Sequence, residues 1–260
     1  MSDPQKTFHA GGIGAAVFES KARLAEAAAE KAAASIREAI DRRGNARIVV
    51  ATGNSQVAMI DCLVRLPGIA WSAVDAFHMD EYIGIPDSHP ASFRLWLRTR
   101  FAEIAKPRSM HYLNGDAADL DGEILRYTTL LKEGPLDLAF VGFGENGHIA
   151  FNDPAVAVFD DPATVKRVAL DEACRAQQVG EGHFPNLDAV PREAITLTCP
   201  ALLSAHILVC SVPDLRKSRA VKNALEGDIS TACPASIVRT HPRAFLYLDT
   251  ESASLLSSTY

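Results

Sequence analysis

One stretch limits what this chain can fold into more than any other: a short apolar run that empties into a glycine-rich loop. Leu136-Asp137-Leu138-Ala139-Phe140-Val141 reads as a buried strand. Gly142-Phe143-Gly144-Glu145-Asn146-Gly147-His148-Ile149-Ala150-Phe151-Asn152-Asp153-Pro154 follows at once. Gly142, Gly144 and Gly147 let the backbone turn sharply and come close to whatever sits there. His148 and Asp153 add an imidazole and a carboxylate. Sites in open α/β sheets lie at the carboxyl ends of strands, and this loop has that address. The glycine spacing alone fits a tight turn with a surface histidine equally well.

The rest of the chain alternates apolar runs with helical segments. Residues 19–40 are alanine-rich with interspersed charge, and Gly44 supplies a stop, so a long helix is expected. Arg47–Ala51 reads as a strand, Thr52–Gln56 as a turn, and Val57–Leu66 as a helix ended by Pro67-Gly68. Backbone N–H groups and the helix dipole at such a start favour an anion, so Thr52, Gly53, Asn54 and Ser55 are candidates for holding phosphate. The same residues serve as well as a plain helix cap. Ala73–His78 is the next strand, and Met79-Asp80-Glu81-Tyr82 ends it with two adjacent acids, which suit either a catalytic carboxylate or an exposed loop. A helix is expected from Ser88 to about Ala105 and another over Asp121–Lys132. Strands are expected at Val165–Leu170, Ala194–Thr198, His206–Ser211 and Phe245–Leu248. Asp171–Arg175 opens a helical or lid-like segment, which Gly180, Gly182 and Pro185 are expected to break into a mobile loop. Pro213–Glu226 reads as a helix. This alternation implies an α/β fold with a mostly parallel sheet. No repeat or low-complexity linker divides it, so residues 1–260 are expected to form a single domain.

Composition narrows the function classes. The chain has 260 residues, is 48% hydrophobic, and carries a formal net charge of -6, so it can fill a large core and lacks the basic excess that a nucleic acid rewards. No apolar stretch is long enough to span a bilayer. Cys62, Cys174, Cys199, Cys210 and Cys233 are scattered and odd in number, which argues against a disulfide framework and against a zinc knuckle. No His/Cys cluster has ligand spacing, so no metal and no cofactor is expected. The expected setting is the cytoplasm.

Two motifs carry a resemblance. The loop Gly142–Pro154 resembles the signature G-x-G-x-D-G-H-I-A-F-N-E-P of the isomerising glucosamine-6-phosphate deaminases. Met79-Asp80-Glu81-Tyr82, Gly84-Ile85-Pro86 and His89-Pro90-Ala91-Ser92-Phe93 resemble that family's M-D-E-Y, G-x-P and H-P-x-S-[FY]. The likeness runs from about residue 45 onward and implies a Rossmann-like three-layer fold. It also implies glucosamine 6-phosphate as substrate, with fructose 6-phosphate and ammonia as products. Two positions depart from the pattern: Asn146 stands where the family has Asp, and Asp153 where it has Glu.

The resemblance implies roles. His148 opens the sugar ring, since both its protonation states are accessible near neutral pH. Asp153 orients it. Asp80 moves the C2 proton to C1, with Glu81 behind it. Lys217 contacts the phosphate, and the family's arginine after residue 171 falls nearest Arg175. Asn146 keeps the size of an Asp but drops its charge, leaving His148 with one carboxylate partner and harder to protonate. Glu145 is not expected to compensate. Two other readings share the fold: a 6-phosphogluconolactonase, and a non-catalytic sugar-phosphate sensor. The first lacks I-A-F-N and M-D-E-Y, and no helix-turn-helix precedes residue 45 to serve the second. The expected partner is a small amino-sugar phosphate, and a homo-oligomer stays open.

Overall fold

The computed structural model describes residues 3–257. The chain opens with a hairpin, β1 (Lys6–Ala10) and β2 (Ile13–Phe18), which leads into α1 (Lys21–Arg43). Then come β3 (Ala46–Val50), α2 (Asn54–Leu63), β4 (Val74–His78) and β5 (Asp80–Tyr82). Next are α3 (Phe93–Leu97), continued through one wider turn into α4 (Glu103–Ala105), then β6 (Ser109–His111), α5 (Leu120–Lys132) and β7 (Leu138–Val141). The second half holds β8 (Val165–Ala169), α6 (Glu172–Gly180), β9 (Glu193–Leu197), α7 (Cys199–Leu203), β10 (Ile207–Val212), α8 (Ser218–Glu226) and β11 (Ala244–Asp249).

Eight strands form the main sheet in the order β1-β2-β11-β10-β7-β3-β4-β6. Only the β1–β2 hairpin is antiparallel; every other pairing is parallel. The mostly parallel α/β sheet expected from the alternation is therefore present, with helices flanking it. From β3 the chain winds outward through β4 to β6, then returns to place β7 on β3's other side. That reversal opens a crevice at the carboxyl ends of β3 and β7, the usual place for a ligand in such sheets.

The sequence explains the large elements. Ser20 caps α1, its side chain accepting from the Arg23 N–H, and Gly44 ends it in the left-handed region with its N–H on the Ile40 carbonyl at 2.7 Å. Leu24, Ala25, Ala28, Ala29, Ala32, Ala33, Ile36 and Ala39 recur at helical spacing and are buried. Mostly alanine, this face lets the helix sit close on the sheet. β3 and β7 are buried along their whole length, as strands covered on both sides must be.

Four expectations need correction. Val165–Leu170 and Ala194–Thr198 do not join the main sheet; with β5 they form a separate antiparallel sheet, β5-β9-β8. That sheet has its own apolar cluster, in which Tyr82, Phe93, Phe151 and Phe184 pack together. α2 begins at Asn54 and not Val57, so the polar turn is already its first turn. α8 begins at Ser218, after a short turn over Leu215–Lys217. The segment after Gly180 is tethered, because Phe184 is only 4% exposed in the second cluster.

Candidate active site

Six chain segments converge on one cavity at the crevice. Thr52, Gly53, Asn54 and Ser55 follow β3, and Met79 and Asp80 follow β4. Gly142, Phe143, Gly144, His148, Ala150 and Phe151 follow β7. Lys217 follows β10. Gln177, Gln178 and Glu181 of the α6 segment line the remaining wall, and Phe93 reaches in from α3.

The glycine loop is shaped around the imidazole. A Cβ on Gly144 would fall 2.2–2.4 Å from three ring atoms of His148, so only glycine lets the ring lie on this backbone. Gly147 turns the chain at φ +85, and the Gly144 N–H donates to the His148 carbonyl at 2.9 Å. The loop thus aims His148 at the cavity.

Behind His148 stands a buried polar group. His148 Nδ1 is 2.9 Å from Asp153 Oδ1, and Asp153 is fully buried. Asn146 Nδ2 donates to the same oxygen at 2.9 Å and lies 3.4 Å from Asp171 Oδ2, while its Oδ1 accepts from the His148 N–H at 3.0 Å. Burial pushes the Asp153 carboxyl up, but His148, Asn146 and Cys174 outweigh it and hold the group below the usual range. Asp153 therefore stays ionised and can support a charged imidazole. Glu145 turns away, lying 3.8 Å from Arg216.

Asn146 is thus part of this network. Asn146→Asp replaces a donor with a second carboxylate against Asp153. Like charges at that spacing raise one folded-state pKa above its unfolded value. The resulting stability term is whole at acid pH and lost as pH rises. Urea unfolding should show the variant weaker by about 1–3 kcal/mol at pH 7, with the deficit closing near pH 4. A deficit independent of pH means the new carboxylate has turned out of the network.

The two acids after β4 differ in kind. Asp80 is 6% exposed and lines the cavity; burial first, and then the charge of Glu81, push its carboxyl up to about 8. Glu81 is fully buried and acts on the scaffold. It accepts from the backbone N–H groups of Tyr82, Phe93 and Arg94 and from Ser92 Oγ, at 2.8–3.2 Å, which binds the start of α3 to β5.

At the other end, no side chain caps the first turn of α2, and Gly53 there has φ +93. Buried Lys217 reaches the same space; burial lowers its pKa, and Glu181, 3.7 Å away, partly restores it. Arg175 is not brought to the cavity. Its guanidinium donates to the Leu187 and Val190 carbonyls, so it ties α6 to the following loop. Arg175→Ala should destabilise the fold by about 1–3 kcal/mol yet leave KM for a sugar phosphate within about twofold. A KM ten times higher in a stable variant would put the arginine on the ligand.

The residues missed from the sequence are those of the α6 wall, Gln177, Gln178 and Glu181, together with the aromatics Phe93 and Phe151. Tyr82 Oη donates to Gln178 Oε1 at 2.7 Å, so the second sheet positions this wall. Among the described residues no helix is long and apolar enough to cross a membrane.

Residues 19–246 match the family described as glucosamine-6-phosphate isomerases/6-phosphogluconolactonase. The chain belongs to this family. Glucosamine-6-phosphate deaminase of Bacillus velezensis is 34% identical over 234 residues, covering 88% of this chain and 95% of the relative. The deaminase of Thermoanaerobacter pseudethanolicus is 30% identical over 237 residues, covering 89% and 92%. The solved structure of a monomeric glucosamine-6-phosphate deaminase superposes with a TM-score of 0.84 at 30% identity, over 93% of this chain and 99% of that one. The 6-phosphogluconolactonase of Trypanosoma brucei superposes at 0.73 with 17% identity, over 97% of this chain and all of that one, and shares the fold alone.

Proposed function

We propose that this chain is an enzyme that converts glucosamine 6-phosphate and water to fructose 6-phosphate and ammonia. One observation carries the reading: Asp80, His148 with Asp153 behind it, and Lys217 beside the start of α2 meet at a single cavity. These are the groups that such a reaction needs. The curated relatives and the superposed deaminase support it.

The phosphate is held by Lys217 and the backbone N–H groups that open α2, where charge and dipole both favour an anion. His148 takes the proton of the anomeric hydroxyl and returns one to the ring oxygen, and the C1–O5 bond breaks. Asp153 stabilises the imidazolium in between. Asp80, ionised, removes the C2 proton from the open-chain aldehyde, whose oxygen takes up the proton that the substrate's ammonium gives up, and an enolamine results. The same carboxyl delivers a proton to C1, because its two oxygens reach both carbons. The resulting C2 imine adds water and expels ammonia. Asp80 lies where the substrate's own ammonium favours its ionised form.

We take residues 1–260 as one domain, acting in the cytoplasm on a small sugar phosphate. An ammonia-release assay tests the activity, with glucosamine 6-phosphate beside galactosamine 6-phosphate and 6-phosphogluconolactone. Turnover should be highest with the first; hydrolysis of the lactone without ammonia release would overturn the reading.

A further inference from the structure

Glu181 stands where a charge of its own sign is to bind. Its carboxylate lies 3.7 Å from Lys217 Nζ and accepts from Gln177 Nε2 at 2.8 Å. His183 Nε2 is 3.5 Å away on its other side. Burial pushes the carboxyl up, but His183, Lys217 and Gln177 more than offset this, so it is ionised at neutral pH. Lys217 is the one lysine or arginine lining the cavity among the described residues, since Arg216 faces Glu145 and Arg175 is held by carbonyls. The anion end therefore carries a cation already neutralised by a carboxylate, and a doubly charged phosphate cannot share Lys217 with it without strong repulsion.

Space is open just beyond Glu181. The residue lies between Gly180, where α6 ends, and Gly182, which has φ +82 and open space around it. His183 already sits beside the carboxylate as a second partner. We propose that Glu181 is an internal competitor for the substrate's phosphate. Its carboxylate holds Lys217 while the site is empty and leaves it when the anion enters, so Glu181 sets how much anion affinity the site delivers. This rests on the reading above that Lys217 and the start of α2 hold a phosphate.

The test is calorimetric binding of inorganic phosphate to the full chain at fixed pH and ionic strength. Glu181→Gln keeps the size and a hydrogen-bonding oxygen but removes the charge. It should bind phosphate about tenfold more tightly than the wild type, and the gain should vanish in E181Q/K217A. KM for glucosamine 6-phosphate should fall in parallel. Equal or weaker phosphate binding by E181Q overturns the proposal, and so does a gain that survives removal of Lys217. If phosphate affinity rises as expected but no variant releases ammonia from glucosamine 6-phosphate, the assigned reaction fails and the role of Glu181 stands. Should E181Q not fold, E181A supplies the same readings.

Discussion

Asp80→Asn should lose turnover by about 10³-fold or more, in the upper part of the range expected for removing a positioned base, while substrate still binds. The amide fits the same space but cannot take a proton from C2. Exchange of the corresponding carbon-bound protons of fructose 6-phosphate with solvent should stop too. Exchange that persists identifies another group as the base. The wild type adds a pH signature. With the free-enzyme carboxyl pushed up to about 8 by burial and by Glu81, kcat/KM should climb with pH through that value. Bound substrate brings an ammonium beside the carboxyl, so the matching limb in kcat should lie lower. Stability runs the opposite way. The folded-state pKa exceeds the unfolded one, so the stabilisation is whole below about pH 4 and lost as pH rises toward 8. Asp80→Asn does not titrate, so its stability advantage over the wild type should grow across that window. At about 1.4 kcal/mol per pKa unit, the gain amounts to several kcal/mol as an upper bound. A gap that stays constant from pH 4 to 9 would falsify the raised pKa.

Lys217→Ala should raise KM for glucosamine 6-phosphate by about 10- to 100-fold, the worth of a charge-assisted hydrogen bond of about 1.5–3 kcal/mol, and lower kcat much less. The phosphate does not react, so its contact has similar strength in ground and transition states, which is the pattern of uniform binding. With Lys217 gone, Glu181 keeps His183, 3.5 Å away, as its remaining partner, and removing Glu181 as well should not recover the loss. Unphosphorylated glucosamine should be a poor substrate for the wild type, and its rate should barely change in Lys217→Ala. If both sugars lose affinity alike, Lys217 binds the sugar and not its phosphate.

The strands β3, β4, β7, β10 and β11 of the main sheet were legible because they are short apolar runs, and the longest helix because its alanine face is unbroken up to Gly44; the three-residue edge strand β6 carries no such run and was missed. The hairpin β1–β2 was missed although Gly11-Gly12 separates two runs that alternate; its outer strand is mostly exposed and its signal correspondingly weak. Val165–Leu170 and Ala194–Thr198 were read as strands correctly, yet local pattern does not say which sheet a strand joins. Antiparallel pairing of Asp80 with Thr196 decides that, across more than a hundred residues. Asp80 and His148 could be picked out because one closely follows an apolar strand and the other a glycine turn, while Asp153 and Lys217 stood out through the family resemblance. Gln177 sits on, and Glu181 just past, a polar helix whose sequence is indistinguishable from a solvated one, and only the tertiary fold turns them inward. Arg175 shows the converse: nearness in sequence to the expected position did not fix where its side chain points.

The two apolar clusters have a consequence for how such a protein can change over time. His148 follows a strand rooted in the large cluster, whereas the wall that carries Gln177, Gln178 and Glu181 hangs from the small one, through Tyr82, Cys174 and Phe184. Substitutions at Phe184 can therefore reshape the wall while Gly144 still seats His148, whereas Cys174 and Phe151 tie the small cluster to Asp153 and to the glycine loop. Inheritance can retain the proton-transfer apparatus while the mouth of the crevice is rewritten for another sugar acid or amine. A lineage built this way can spread over several chemistries on one scaffold, each step crossing only the modest stability loss of repacking a few aromatic rings.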